Sequence, residues 1–93
     1  MPKRSANRSA SNVKSLRSTA DQAVADVLAR ARKQKKLSQR DLAGLLRRPH
    51  SVVGMIESHQ RQVSVPEFIV IAEALGADPG ELFRQVLRGR SLR

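Results

Sequence analysis

Signals for the start of a helix recur at short intervals along this sequence, and they constrain its fold more than any other feature. A Ser, Thr or Asp followed three residues later by an acidic or amide residue is typical of a helix N-terminus, because the side chains satisfy backbone N–H groups that lack helical partners. No segment alternates polar and apolar residues with period two over a useful length. The sequence therefore predicts an all-α domain. The start signals are Thr19 with Gln22, Ser38 with Asp41, Ser64 with Glu67, and Asp78 with Glu81.

Five helices are predicted from these starts and from apolar residues repeated at helical spacing. In the first helix, Val24, Leu28 and Ala31 share one face. Gly76 is a natural residue to follow the fourth helix, because glycine readily takes the left-handed conformation found there. The predicted helices cover residues 21–35, 38–46, 49–58, 64–75 and 78–88.

The length and composition of the chain limit the kind of core it builds. Its 93 residues have room for one domain with one hydrophobic core. Hydrophobic residues make up 40% of the chain and aromatic residues only 2%, so we expect an aliphatic core that includes Phe68 and Phe83. The sequence has no cysteine, which excludes a disulfide framework and cysteine-based zinc sites.

A large excess of positive charge indicates a polyanionic partner. Eighteen Lys and Arg residues against eight Asp and Glu residues give a formal charge of +10. Such a charge favours nucleic acid or an anionic membrane surface. No apolar run approaches the roughly 20 residues needed to span a bilayer, and the basic start lacks the apolar stretch of a secretory signal. We therefore expect a nucleic-acid partner and no place in a membrane.

Composition divides the chain into three parts. Residues 1–19 contain five basic residues and no acids. They bury too little apolar area to offset the entropy of ordering them, so we expect a flexible basic N-terminal arm. Residues 20–88 are expected to form the folded domain, and residues 89–93 a basic C-terminal tail.

Several motifs in the middle of the chain agree in order and spacing with those of a known family. They are Leu37-Ser38-Gln39, Leu42-Ala43, Val53, Ile56-Glu57 and Ala72 through Leu75-Gly76. Over about residues 24–83 this pattern resembles the phage-repressor/Cro-type helix-turn-helix domain, often called the XRE family. The resemblance implies a compact bundle of about five helices whose second and third helices form the helix-turn-helix. It also implies that the third helix enters the major groove, usually in a dimer on two half-sites.

The resemblance places the base-reading residues on the third helix. When Val53 and Ile56 define its buried side, a helical wheel leaves a face of small residues open. On that face, Met55 is expected to touch a thymine methyl group, and Gly54 to let the helix backbone approach the DNA closely. The predicted base contacts are His50, Ser51, Gly54 and Met55.

Polar residues around the third helix are expected to contact DNA phosphates, which position a protein without specifying sequence. The turn departs from the family pattern, because Arg47 stands where glycine is usual. Arg32 and Glu57 match an Arg–Glu pair that joins the first and third helices in relatives, and we expect a structural role for them. The predicted phosphate contacts are Gln39, Arg40, Arg47, Arg48, Ser58, Gln60 and Arg61. The arm residues predicted to add affinity without much specificity are Lys3, Arg4, Arg8, Lys14 and Arg17.

These residues predict a DNA-binding transcriptional regulator. We expect a repressor that binds palindromic operators as a homodimer through residues 49–58, in the cytoplasm of a bacterium or phage host and associated with the nucleoid. No catalytic constellation, cofactor or metal is expected, because the sequence has two histidines, no cysteine and no glycine-rich phosphate loop. One alternative is an antitoxin-like or adaptor protein that grips a protein partner through Met55 and a docking helix with Val86 and Leu87. Another is a low-specificity architectural DNA binder.

Overall fold

Five α-helices make up residues 19–91, the part of the chain that the computed structural model describes, with side chains described through residue 89. Helix α1 covers residues 19–34, α2 Gln39–Leu46, α3 His50–Glu57, α4 Val65–Ala74 and α5 Pro79–Ser91. No strand occurs within this range. The predicted all-α bundle of about five helices is confirmed, and the connection between α2 and α3 is only residues 47–49 long.

Local side chains start three of the helices as predicted. At α2, the Ser38 hydroxyl accepts a hydrogen bond from the Asp41 N–H at 3.0 Å, while the Asp41 carboxylate accepts from the Ser38 N–H at 2.9 Å. Ser64 caps α4 by accepting from the N–H of Glu67 at 3.2 Å. The Asp78 carboxylate accepts from the Glu81 N–H at 3.1 Å and so caps α5. These bonds satisfy backbone donors in the first turns.

The predicted start of the first helix is wrong. Residue 19 is already helical, so α1 reaches at least two residues further back than the start predicted at residue 21. Thr19 therefore lies in the helix and is not its N-terminal cap. A threonine is tolerated in a first turn, so its presence alone does not mark the boundary. All five basic residues of the predicted arm lie before residue 19, outside the described residues.

Four helices are followed within two residues by a residue in the left-handed conformation, and three of these residues are not glycine. Gly76 follows α4 with φ +69°, as predicted. Lys36, Arg47 and His59 take φ values of 60°, 56° and 67° after α1, α2 and α3. The turn of the helix-turn-helix thus keeps the left-handed geometry despite its arginine. A side chain with Cβ costs about 1–2 kcal/mol in this conformation.

Apolar residues from all five helices meet in one aliphatic core. Ile71 and Leu75 of α4 are its largest fully buried side chains. Ala43 is only 1% exposed where α2 packs against α3, so a larger side chain there would have to displace its neighbours. The other buried apolar residues of this core are Ala23, Val27, Leu28, Ala31, Leu42, Val53, Ile56, Phe68, Ala72, Leu82 and Val86.

Two predictions about the last helix are wrong. Phe83 is 49% exposed and contacts the core only at its edge, where its ring lies 6.3 Å from that of Phe68 at an interplanar angle of 79°. Val86 is buried in the protein's own core and cannot belong to an exposed docking face, although Leu87 is exposed. Both errors arise because helical spacing identifies one apolar face without fixing its rotation relative to the core. Helix α5 also continues to Ser91, three residues beyond the predicted domain boundary at residue 88.

The left-handed residue at the end of α2 yields a prediction about stability. Replacing Arg47 with Gly should raise the free energy of unfolding by about 0.5–1 kcal/mol relative to Arg47→Ala, because glycine removes the steric strain but has more entropy when unfolded. Chemical denaturation of the two variants measures this difference. Gly76→Ala is the opposite control and should destabilise the protein. Equal stabilities of Arg47→Gly and Arg47→Ala would contradict the argument.

Candidate nucleic-acid interface

Helix α3 is short and is held to the bundle mainly by two apolar residues. Val53 and Ile56 are 2% and 3% exposed, as the helical wheel predicts. No side chain caps the helix start, where Pro49 precedes His50. On the outward side His50 and Ser51 are exposed, while Met55 and Gly54 are half-buried. The outward face is therefore small and open, and its longest side chain is only partly available.

Nothing in the described protein requires glycine at position 54. A Cβ added there would lie 3.5 Å from Oε1 of Gln39, which is an ordinary van der Waals contact. An alanine would therefore fit, and it would favour the helix by about 1 kcal/mol. Gly54 is half-buried, and the Gln39 side chain lies beside the position that a Cβ would occupy.

A buried ion pair fixes α3 to α1. Nε of Arg32 donates to Oε2 of Glu57 at 2.7 Å, and Nη2 donates to Oε1 at 3.0 Å, which is a bidentate arrangement. The remaining terminal nitrogen donates to the carbonyl oxygen of Leu37 at 2.6 Å. The two side chains are 10% and 11% exposed. The structure thus brings the two predicted partners together, and breaking such a pair would leave an uncompensated charge.

Gln39 joins the same network, a contact that the sequence did not indicate. Its side-chain nitrogen donates to Oε1 of Glu57 at 2.9 Å, so α2 is also tied to α3. Burial raises the pKa of Glu57, but hydrogen bonds from Arg32 and Gln39 and the charges of Arg32 and Lys33 outweigh it. The pKa therefore falls below its ordinary value. Gln39 keeps its amide oxygen and a second N–H for other partners.

A second acidic residue lies on the other flank of α3. Oε2 of Glu67 is 3.0 Å from Nη2 of Arg61 and 3.9 Å from Nη2 of Arg48. The sequence indicates Glu67 only as part of a helix start and does not reveal this pairing. No local sequence signal marks it, because residues 48, 61 and 67 come from three separate segments. The structure thus brings together two of the predicted phosphate contacts around a carboxylate.

The other predicted phosphate contacts surround α3. Arg40 and Arg47 are exposed, as is Gln60 in the loop after α3. Ser58 is exposed too, but its hydroxyl donates to the Met55 carbonyl at 3.3 Å and must turn before it can donate elsewhere. The cationic and amide side chains therefore flank α3 on the turn, on the start of α2 and on the following loop.

The loop after α3 is also fastened to α1. The Nε2 atom of His59 lies 3.5 Å from a carboxylate oxygen of Asp26, and the side-chain nitrogen of Gln62 donates to Asp21 at 3.1 Å. These contacts hold the loop on the side of α1. No group of three or more possible metal ligands occurs among residues 19–89, whose side chains are described. Within the described chain, no helix has the length and apolar character to cross a membrane.

The fold and this site define a helix-turn-helix protein, and comparison with known proteins agrees. A family model described as "Helix-turn-helix domain" matches residues 23–86. The structure of the XRE-family like protein from Pseudomonas syringae pv. tomato str. DC3000 is 31% identical in sequence, with a TM-score of 0.77. The match covers 83% of this chain and 94% of that one. The chain belongs to the XRE family of helix-turn-helix DNA-binding regulators.

A second solved structure shares the fold at lower identity. It is the wild-type restriction-modification controller protein C.Esp1396I, which is 20% identical with a TM-score of 0.70. The match covers 75% of this chain and 90% of that one. No match was found among curated proteins.

The buried ion pair predicts how stability depends on pH. The ordinary pKa of Glu57 is 4.5, and the folded value is lower. The stabilisation is therefore fully present above about pH 5 and is lost as pH falls through 4.5 and then through the folded value. Glu57→Gln should destabilise the protein at pH 7 by about 1–3 kcal/mol, because Arg32 keeps a hydrogen-bond acceptor but loses the charge that compensates its own. It should also flatten the acid limb of the stability profile.

Urea denaturation between pH 3 and pH 7 measures both effects. Glu73→Gln, at an exposed position of α4, is the matched control and should change stability by less than about 0.5 kcal/mol. The argument is wrong if Glu57→Gln and Glu73→Gln have the same pH profile.

Proposed function

We propose that this protein is a transcriptional repressor that binds palindromic operators as a homodimer, with α3 in the major groove of each half-site. The observation that carries the proposal is the outward face of α3, which is small, open and flanked by cationic side chains. A helix of this kind fits closely into a groove about 12 Å wide. Occupation of a promoter by such a dimer would block transcription.

Direct reading of bases is expected to be modest. The exposed Ser51 hydroxyl both donates and accepts, so it discriminates weakly among bases, while the exposed His50 is able to donate to a guanine acceptor. Met55 is half-buried, and only part of its apolar chain is available for a thymine methyl group. Sequence preference would then depend strongly on DNA shape and on close approach at Gly54.

Phosphate contacts are expected to supply most of the affinity. Arg40, Arg47 and Arg48 are exposed on α2 and in the turn beside α3. Gln39 is oriented by its bond to Glu57 and keeps donor capacity for a phosphate. Such contacts fix the register of the protein on the duplex.

A homodimer is proposed because a two-fold protein matches a palindromic site. Exposed apolar side chains on α4 and α5 provide area for association between copies, among them Ile69, Phe83 and Leu87. For the protein-partner alternative, Leu87 stays available on α5, whereas Val86 is buried in the core. The proposed place of action is the bacterial cytoplasm, where the chromosome is, and the basic arm is proposed to add affinity there.

Salt dependence tests the phosphate contacts. The logarithm of the association constant for the preferred duplex should fall linearly with the logarithm of salt concentration, by about 0.9 per phosphate neutralised. Arg40→Gln should reduce the magnitude of this slope by about 1, which corresponds to the loss of one phosphate contact. Arg84→Gln, on α5 and paired with Glu81, is the control and should leave the slope unchanged.

Fluorescence anisotropy with duplexes selected from a random pool provides the measurement. A flat salt response would overturn DNA binding as the function. A steep response with no preference among sequences would identify an architectural binder instead of a repressor. Sedimentation of the complex should show two copies on each palindromic site.

The open position on α3 yields a separate prediction. Gly54→Ala should stabilise the protein by about 1 kcal/mol, because alanine favours a helix interior. It should also weaken binding to the preferred duplex, because the added methyl group separates α3 from the DNA. Gly44→Ala on α2 is the matched control, since a Cβ there meets nothing within 4 Å, and it should stabilise without weakening binding.

Thermal unfolding and anisotropy titration of both variants give the two quantities. Tighter or unchanged DNA binding by Gly54→Ala would show that α3 does not approach the DNA at this residue.

A further inference from the structure

We propose that Glu67 is a positioning residue for DNA binding, which holds Arg48 beside the start of α3 in the orientation that meets a phosphate. The proposal rests on the proposed function, since it assumes that Arg48 contacts DNA. In this role Glu67 strengthens binding to DNA. Its negative charge alone would instead repel the phosphates and weaken binding.

The three charged side chains form a graded series from the interior to the surface. Glu67 is 17% exposed, Arg61 is 32% exposed and Arg48 is 52% exposed. The carboxylate oxygen Oε2 lies 3.0 Å from Arg61 and 3.9 Å from Arg48. The innermost charge is therefore the acid, and the outermost is the arginine of the helix-turn-helix turn.

The backbone of Glu67 is fixed in the first turn of α4. Its N–H donates to the Ser64 hydroxyl at 3.2 Å, and the next N–H, of Phe68, donates to the Ser64 carbonyl at 2.9 Å. Phe68 is itself buried in the core. The main chain of Glu67 is thus fixed, and its carboxylate reaches the two arginines from a defined position.

Glu67 faces a cleft with a largely apolar floor. The cleft has a volume of about 460 Å³ and lies between α2, α3 and α4. Charges beside apolar groups interact more strongly than charges in water, because the local dielectric constant is lower. The apolar residues that line it are Leu46, Val52, Ile56, Val70 and Ile71.

Arg61 and Arg48 have different roles in this arrangement. Arg61 uses Nη2 for Glu67, and its Nη1 is buried without a hydrogen-bond partner, so this side chain braces the carboxylate and presents few donors outward. Arg48 is attracted at 3.9 Å, which is too long for a hydrogen bond, so its N–H groups remain available. Glu67 therefore restricts Arg48 without occupying the donors that a phosphate needs.

Restriction of a long side chain before binding reduces the entropy lost on binding. Ordering one such side chain corresponds to a factor of about 2–10 in affinity. The negative charge of Glu67 by itself repels the DNA phosphates. If only this charge were removed and Arg48 kept its position, DNA binding would become tighter. Positioning and simple repulsion thus predict changes of opposite sign.

The experiment measures the dissociation constants of full-chain variants for a duplex carrying the preferred site. Glu67→Asp keeps the charge but is one methylene shorter, so it cannot hold both arginines. We expect it to bind about 2–10 times more weakly than the wild-type protein. Glu67→Gln should also bind more weakly, despite the lost negative charge. Glu73→Asp and Glu73→Gln, on the exposed side of α4, are the matched controls and should bind as tightly as wild type or more tightly.

A double-mutant cycle with Arg48→Gln separates positioning from a general loss of structure. Once Arg48 is absent, Glu67→Asp should cause no further weakening, because the two residues act through one contact. Thermal unfolding followed by circular dichroism identifies a temperature at which every variant is folded, and the binding assay is carried out at that temperature. Equal weakening by Glu67→Asp with and without Arg48 would overturn the inference, and so would binding by Glu67→Asp as tight as wild type.

The failure of this inference is distinguishable from the failure of the proposed function. If wild-type protein binds the duplex with the expected salt dependence but Glu67→Asp has no effect, only the role of Glu67 is wrong. If wild-type protein binds no duplex at all, the proposed function is wrong and the role of Glu67 falls with it.

Discussion

The bidentate ion pair between Arg32 and Glu57 is the interaction on which the geometry of this protein depends. Helix α3 has eight residues, no side-chain cap and two deeply buried apolar anchors, which is little to fix its rotation. The ion pair adds a directional constraint, because a planar guanidinium meets a carboxylate in one orientation. The third bond of Arg32, to the Leu37 carbonyl, extends this constraint to the segment that starts α2. One buried arginine therefore sets the relation of α1, α2 and α3.

Most features predicted from the residues themselves depend on neighbouring positions, whereas the Arg32–Glu57 pair, which joins distant helices, was expected only from the resemblance to a known family. The caps at Ser38 and Ser64 and the left-handed Gly76 are local, and the inward side of α3 follows from the spacing of Val53 and Ile56. The contacts of Glu67 with Arg61 and Arg48 were missed because they join distant segments. Phe83 was expected in the core from its apolar character. Only the packing of α5 against the other helices shows that about half of this side chain stays exposed to solvent.

Most acidic residues make specific contacts within the fold. The excess of positive charge therefore lies on basic side chains at the surface. Glu57 and Glu67 contact arginines on the two flanks of α3. Asp41 and Asp78 cap helices, Asp21 and Asp26 fasten the loop after α3, and Glu81 pairs with arginines of its own helix. Glu73 is the remaining acid of the eight in the sequence. The seven acids in specific contacts are Asp21, Asp26, Asp41, Glu57, Glu67, Asp78 and Glu81. A net charge of +10 is thus compatible with a folded domain, because nearly every acid contributes to structure as well as to charge balance.

The three-residue connection between α2 and α3 limits how a protein of this design can evolve. An insertion in residues 47–49 would rotate α3 by about 100° per added residue if it lengthened the helix, and would break the left-handed turn at Arg47 if it lengthened the loop. Either change would separate Glu57 from Arg32. Insertions and deletions are therefore not tolerated in this connection. Substitutions are tolerated at Ser51, Gly54 and Met55, because these residues touch little of the core. In the proposed binding mode, new DNA preferences would therefore arise by substitution on the outer face of α3, with the connection kept at its present length.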